Sequence, residues 1–254
     1  MIVRAGLGAL KGRLLEDETL PLRAYLAAWR GWRAYLRYEA LGFEHLQGGP
    51  ALIVGYHGRP IAWDLCILQI EVYERLGYLP HGIIHGGVEA NPTMKWISDS
   101  LGFLTGDGPA LSAAVARGEH ILVTPGGTRE GCRSARHRYQ VDWGQRTGYL
   151  KLALRLGLPV VPVAARGVDD LYVGLNDGEA WGKRVGMPAR LPFWLGVGPL
   201  GLWPLSPPFP VKVRQRIGAP IDLSAEGGDP ADPEALARLH QRVVTAVQGL
   251  MEGG

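Results

Sequence analysis

Between residues 20 and 41 apolar side chains recur at helical spacing, with Leu22, Tyr25, Leu26, Trp29, Trp32 and Leu36 on one face. Arg23, Arg30 and Arg37 flank that face, and Arg33 lies nearer its centre, where a long stem can snorkel outward. The pattern predicts an amphipathic helix suited either to a lipid interface or to packing on a domain. Beyond it, short apolar runs alternate with amphipathic segments, as in α/β proteins. Strands are expected at 51–56, 82–85, 121–124, 160–164 and 211–217, and helices at 64–76, 92–101, 109–117, 145–156 and 233–250. One α/β domain is expected at 44–254, preceded by an N-terminal amphipathic helical extension at 1–43.

The stretch GMPARLPFWLGVGPLGLWPLSPPFP at 186–210 breaks this rhythm. Its prolines and glycines forbid a continuous helix, so Phe193, Trp194, Leu195, Leu202, Trp203 and Phe209 read as a greasy loop. Such a loop suits an acyl channel, a bilayer contact or simple packing over the sheet. No run of about 18 uncharged apolar residues is present, so a spanning helix is not expected. The opening MIVRAGLGALKGRLLEDE carries charge too early and too often for a secretory signal.

Composition narrows the function classes. With 46% hydrophobic and 20% charged residues the chain is that of a folded protein. A net charge of +3 without a dense Lys/Arg run argues against a nucleic-acid partner and fits an anionic membrane or an anionic substrate equally well. Cys66 and Cys132 have no metal spacing and form no disulfide framework, which makes a reducing cytoplasm the default compartment.

Two segments carry candidate chemistry. In YHGRPIAWD, the apolar run ALIVGY delivers His57 to the end of a strand, Gly58, Arg59 and Pro60 turn the chain, and Asp64 begins the next helix. A carboxylate there can hold one imidazole nitrogen and leave the other free to take a proton, although it fits equally an ordinary helix start. In HILVTPGGTREGCRS, a strand ends at Thr124 and the glycines Gly126 and Gly127 let backbone N–H groups approach a developing oxyanion. Arg129 and Arg133 add positive charge, and a plain glycine turn is the alternative. His81, His85 and Glu89 raise a metal-hydrolase reading, but Pro80, Gly82, Gly86 and Gly87 disfavour a helix, so structural histidines and no metal are expected. No G-x-S-x-G elbow marks a serine hydrolase. A non-catalytic lipid-binding protein would need neither His57 nor Asp64.

Taken in order, His57 with Asp64, GFLTGD at 102–107, PGGTRE at 125–130, LPVVPV at 158–163 and RIGAPIDL at 216–223 resemble the lysophospholipid and glycerolipid acyltransferase superfamily. The resemblance covers residues 49–223 and implies both a mixed, mostly parallel sheet flanked by helices and O-acyl transfer, with His57 the general base and Asp64 its orienting partner. It implies substrate contacts from Gly126, Gly127, Thr128, Arg129 and Glu130. Acyl-CoA, or an acyl carrier protein, is the implied co-substrate, with no resident cofactor, a lipid acceptor, and peripheral attachment to the cytoplasmic face of a membrane. Two departures matter. Six residues separate His57 from Asp64 where the family has four, and Gly126 stands where phospholipid-forming members carry a glutamate. The Pro-Gly-Gly form resembles the branch acylating mono- and diacylglycerol, and the second block lacks an arginine near Asp107 for a glycerol phosphate. Both point to a neutral acceptor.

Overall fold

The computed structural model describes residues 19–84, 95–96, 98–99, 101–105, 108–187 and 192–253. The chain begins with α1 (Leu20–Tyr35), β1 (Glu39–Leu41), a 3-10 turn at Phe43–Leu46, β2 (Leu52–Gly55), α2 (Trp63–Leu76) and β3 (His81–Ile84). It continues through β4 (Leu104–Thr105), α3 (Pro109–Ala116), β5 (Ile121–Val123), the short α4 (Gly127–Gly131), α5 (Gly148–Leu156) and β6 (Val160–Arg166). An excursion follows, comprising β7 (Val173–Gly174), α6 (Gly178–Arg184), β8 (Gly196–Gly198) and β9 (Gly201–Leu202), before β10 (Arg214–Ile217) and α7 (Pro233–Glu252).

The main sheet runs β1-β10-β6-β2-β5-β3-β4. Every pair from β6 to β4 is parallel, β10 is antiparallel to β6, and β1 is parallel to β10, so the sheet is mixed and mostly parallel. At its centre β2 aligns Val54 with Val123 of β5 and Pro162 of β6. Leu52, Ile53 and Val54 are fully buried, the consequence of helices on both faces and the reason this strand reads as a continuous apolar run. Of the two principal covering helices, α7 is capped by Asp232, whose side chain accepts from the Glu234 amide. It buries Leu236, Leu239, Val243, Val247 and Met251, three to four residues apart, and packs on β6. By contrast α2 is apolar almost all round, burying Leu65, Ile67, Leu68, Ile70 and Val72, because it lies between the sheet and α1.

The amphipathic helix α1 is packed on the domain. Leu26 and Leu36 are fully buried, and Trp29 and Trp32 meet Trp63 edge-on at 5.2 and 5.0 Å between ring centroids. Two of its arginines face carboxylates of α2: Arg30 reaches Glu74 at 2.8 Å, and Arg33 reaches Glu71 at 2.9 Å and Glu74 at 2.6 Å. The helix ends at Tyr35 rather than near residue 41, because Glu39–Leu41 leave to pair with Arg214–Arg216. The segment 1–43 therefore contributes a strand to the main sheet.

Most of the helix expected at 92–101, with His85 and Glu89, lies outside the described residues, as do Gly106 and Asp107. His81 uses both ring nitrogens, Nδ1 on the Gly102 carbonyl and Nε2 on Glu119, each at 2.7 Å. The stretch 186–210 contains β8 and β9, which form a small antiparallel sheet with β7.

Candidate active site

His57 stands just beyond the carboxyl end of β2, where parallel strands deliver side chains to a crevice. The ring is part-buried, and its Nδ1 lies 3.2 Å from the Gly58 carbonyl oxygen. A carbonyl only accepts, so Nδ1 carries the proton and the lone pair is on Nε2, which has no protein partner among the described residues. Desolvation by the surrounding protein pulls the imidazole pKa down to about 4, against weak opposition from backbone hydrogen bonds. At neutral pH the ring is uncharged.

The PGGTRE block is bolted to this histidine from behind by Glu130. Fully buried, its Oε2 accepts from the His57 amide (2.9 Å) and Trp143 Nε1 (3.2 Å), and its Oε1 accepts from the Asp142 amide (2.9 Å). Burial pushes the Glu130 pKa up to about 7 despite these N–H donors. Glu130 thus points inward and holds the two motifs together, instead of lining substrate as the resemblance implied. Gly126 is glycine because a Cβ there would lie 2.6 Å from the Glu130 carboxyl carbon. Gly131 was not anticipated: a Cβ on it would sit 2.6 Å from His57 Cε1 and 2.9 Å from the Pro60 carbonyl oxygen. Its sequence signal, a glycine following TRE, is a single residue whose meaning comes only from the ring it touches.

Around the turn itself, Gly127 starts α4 at φ +54° and donates its amide to the Thr124 carbonyl (3.1 Å). Arg146, also unanticipated, donates to the Pro125 and Gly126 carbonyls at 2.8 and 2.7 Å. In a trans peptide N–H and C=O point oppositely, so this grip turns the amides that follow those carbonyls away from Arg146. Thr128 is exposed, and Arg129 is paired with Asp142 at 2.9 Å on the surface.

Asp64 is completely buried at the first turn of α2. No hydrogen bond or ion pair joins it to His57. Its Oδ2 takes the Gln215 amide at 3.2 Å once that amide is oriented to satisfy both its ends, while Oδ1 has no partner and faces Gly58. Burial raises the carboxyl pKa to about 8. The longer turn between the two residues is filled by Arg59, fully buried, which donates to the Ser134 carbonyl (2.8 Å) and the Asp169 carbonyl (3.2 Å). Asp169 in turn accepts from Tyr56 Oη (2.5 Å) and the Tyr139 amide (2.7 Å), and Arg133 donates to Tyr56 Oη at 2.7 Å. Arg133 is therefore a buried structural cation rather than free charge.

A cavity of about 620 Å³ is lined by Arg129, Cys132, Arg133, Asp142 and, from α6, Glu179 and Lys183. His57 is not among its lining residues. Its cations face carboxylates, Arg129 pairing with Asp142 and Lys183 with Glu179.

This fold, with a neutral histidine at the end of the central strand and a glycine-rich block latched to it, has a counterpart of known structure. It is similar to the crystal structure of the 1-acyl-sn-glycerophosphate (LPA) acyltransferase PlsC from Thermotoga maritima, with a TM-score of 0.50 over 95% of this chain and 82% of that one. At 18% identity the likeness is one of fold. Residues 110–253 match the diacylglycerol acyltransferase family, and the chain belongs to that family. His57 and Asp64 precede the matched segment. Among curated relatives, proteins named DGAT1/2-independent enzyme synthesizing storage lipids are 29% identical in Gallus gallus over 88% of this chain and 27% identical in Mus musculus over 90%. The chain spans 62% of the length of each.

Proposed function

We propose that the protein transfers a fatty acyl group from acyl-CoA, or an acyl carrier protein, to the hydroxyl of a neutral glycerolipid or alcohol at a membrane surface. The observation that carries this reading is the His57 tautomer. With Nδ1–H bound to the Gly58 carbonyl, Nε2 is the basic nitrogen, and among the described residues it has no protein partner. It takes the acceptor's hydroxyl proton as the oxygen attacks the thioester carbonyl. Charge then builds on the carbonyl oxygen, for which the amides of Gly126 and Thr128 are the candidates, the Gly127 amide being bonded within the turn. Collapse of the adduct breaks the carbon–sulfur bond, and the imidazolium returns its proton to the leaving thiolate. The products are an ester and a free thiol, with no acyl-enzyme. A ring with its pKa near 4 holds that proton only transiently. Asp64 makes no hydrogen bond to the ring, and its carboxyl, unpartnered at Oδ1 among the described residues, supports the imidazolium in this reading only where it is ionised, towards and above pH 8.

A neutral acceptor is supported by three features. Gly126 has no room for the glutamate found in phospholipid-forming relatives, Arg129 and Arg133 are already engaged, and a phosphate dianion buried without a free cation is costly. The relatives' names as enzymes synthesizing storage lipids point the same way. Among the described residues no helix is long and apolar enough to cross a membrane. In this reading attachment is peripheral, at the cytoplasmic face.

Thiol release from acyl-CoA should be measured against monoacylglycerol, diacylglycerol, a long-chain alcohol and lysophosphatidic acid. The neutral acceptors should support turnover, and His57→Ala should lower it by roughly 10²- to 10⁴-fold. A strong preference for lysophosphatidic acid would overturn the neutral-acceptor reading. Thiol release that ignores every acceptor would make the protein a thioesterase.

A further inference from the structure

The excursion between β6 and β10 inverts the usual patterning of a surface sheet. Cross-strand register places Val173, Val197 and Leu202 on one face, and Leu175 and Leu195 continue it two residues on. The opposite face is Gly174, Gly196, Gly198 and Gly201. A side chain on Gly174 would strike the Arg133 carbonyl and the Trp194 ring, so this glycine face is the one pressed to the body of the protein. An antiparallel sheet with one solvated side ordinarily turns polar residues outward. Here the outward residues are aliphatic, and the loops at the sheet's end add Leu200, 80% exposed, and Leu205, 93% exposed. On neighbouring α6, Trp181 and Val185 are exposed one turn apart beside Lys183 and Arg184.

Charge identifies the occupant. From residue 180 to 221 the chain contains no aspartate or glutamate, whereas Lys183, Arg184, Arg190, Lys212, Arg214 and Arg216 fall within it. Lys183 is paired with Glu179, and Lys212 and Arg214 reach Glu39, but Arg184 beside Trp181 has no ion pair among the described residues. An exposed apolar patch edged by Trp181 and Arg184, on a stretch of forty-two residues without an acid, complements an anionic interface. We propose that this face, the outer side of the β7-β8-β9 sheet with its Leu200 and Leu205 loops and the Trp181 edge of α6, docks on an anionic phospholipid bilayer. Helix α1 does not, since Trp29, Trp32, Arg30 and Arg33 are engaged with α2. Because α6 also lines the 620 Å³ cavity, docking this way sets that cavity beside the lipid headgroups. The membrane location comes from the proposed function; the surface assignment is tested without acyl donor or acceptor, so catalysis and docking can fail separately.

The test is co-sedimentation of the full chain with vesicles of phosphatidylcholine alone and of equimolar phosphatidylcholine and phosphatidylglycerol. The wild type should partition to the anionic vesicles and be partly released by salt. Leu200→Ser with Leu205→Ser should weaken binding about tenfold or more without lowering the melting temperature, since both side chains lie in solvent. Lys183→Gln and Arg184→Gln should each cost about fivefold on anionic vesicles only. Leu20→Ser, which removes an exposed leucine of α1, should change nothing. Wild-type binding by the double leucine variant, or a loss with Leu20→Ser, would overturn the assignment. So would a lipid-free dimer that the leucine variant dissociates, which would make the face a contact between copies of this chain.

Discussion

Gly131 is the most exacting single position near His57, because the imidazole occupies the volume a side chain would need. Gly131→Ala should displace the ring by a fraction of an ångström to an ångström. A misplacement of that size costs about 10²-fold in rate. The expected result is a kcat reduced by that order with a cooperative melt retained, read by steady-state kinetics beside circular dichroism. Glu130 acts through the same ring by a different route. Glu130→Gln turns one oxygen into an NH2 group facing N–H donors, and leaving a buried donor unsatisfied costs about 1–3 kcal/mol. The melting temperature should fall, and kcat should fall more than KM changes, since only the alignment of His57 is lost. The depressed His57 pKa also predicts where the acid limb of kcat/KM lies: near pH 4 to 5, not near 6.5. A limb at 6.5 would mean that the ring is solvated in the working enzyme.

At the scale of elements, α1 and β1 decide how the N-terminal segment behaves. The helical spacing of Leu22, Leu26, Trp29 and Leu36 is legible in sequence, but a stripe does not say whether lipid or protein meets it. The structure answers with α2, whose Glu71 and Glu74 stand where Arg30 and Arg33 reach. Leu26→Ala should therefore cost about 2–5 kcal/mol in denaturant unfolding with no lipid present, as for a core leucine. A helix packed only against a bilayer would show no such loss in water. The exposed ion pairs contribute little by comparison, about 0–1 kcal/mol each.

For the molecule as a whole, two buried carboxyls and one part-buried imidazole set opposing pH dependences. Asp64 moves from an ordinary 3.8 to about 8 on folding and Glu130 from 4.5 to about 7, so the folded state binds more protons than the unfolded one in those windows. Stability from these groups is fully present at low pH and is lost as pH rises through 7 and then 8. His57 runs the other way: its pKa falls from 6.5 to about 4, so stability is lost as pH drops through that interval. Between pH 7 and 8 Asp64 is the principal one of the three still titrating. Melting temperature should decline across that range, and Asp64→Asn should flatten the decline. The same variant should lower turnover less than His57→Ala does, because an amide is close to isosteric with a carboxyl that is itself mostly protonated below pH 8 and that does not touch the ring.

Periodicity alone determined the α/β class, the central strands and the long helices, because the alternation of buried runs with amphipathic stretches is a local consequence of sheet and helix geometry. Residue order alone brought His57 and the PGGTRE block forward as candidates, since both follow runs that end a strand. What only tertiary structure decided is how those pieces face each other. The family resemblance made Glu130 a substrate contact, yet the fold buries it against the His57 amide. Gly58, one of many glycines, supplies the carbonyl that selects the tautomer, while Asp64, the expected partner, lies against Gln215 of a strand some 150 residues away. The greasy stretch looked shapeless because its strands are two or three residues long, too short to show a period. Its glycine and leucine faces separate only when β7, contributed from beyond α6, comes into register with β8. Contacts between residues distant in sequence leave no local pattern, which is why the elements were readable one at a time and the site was not.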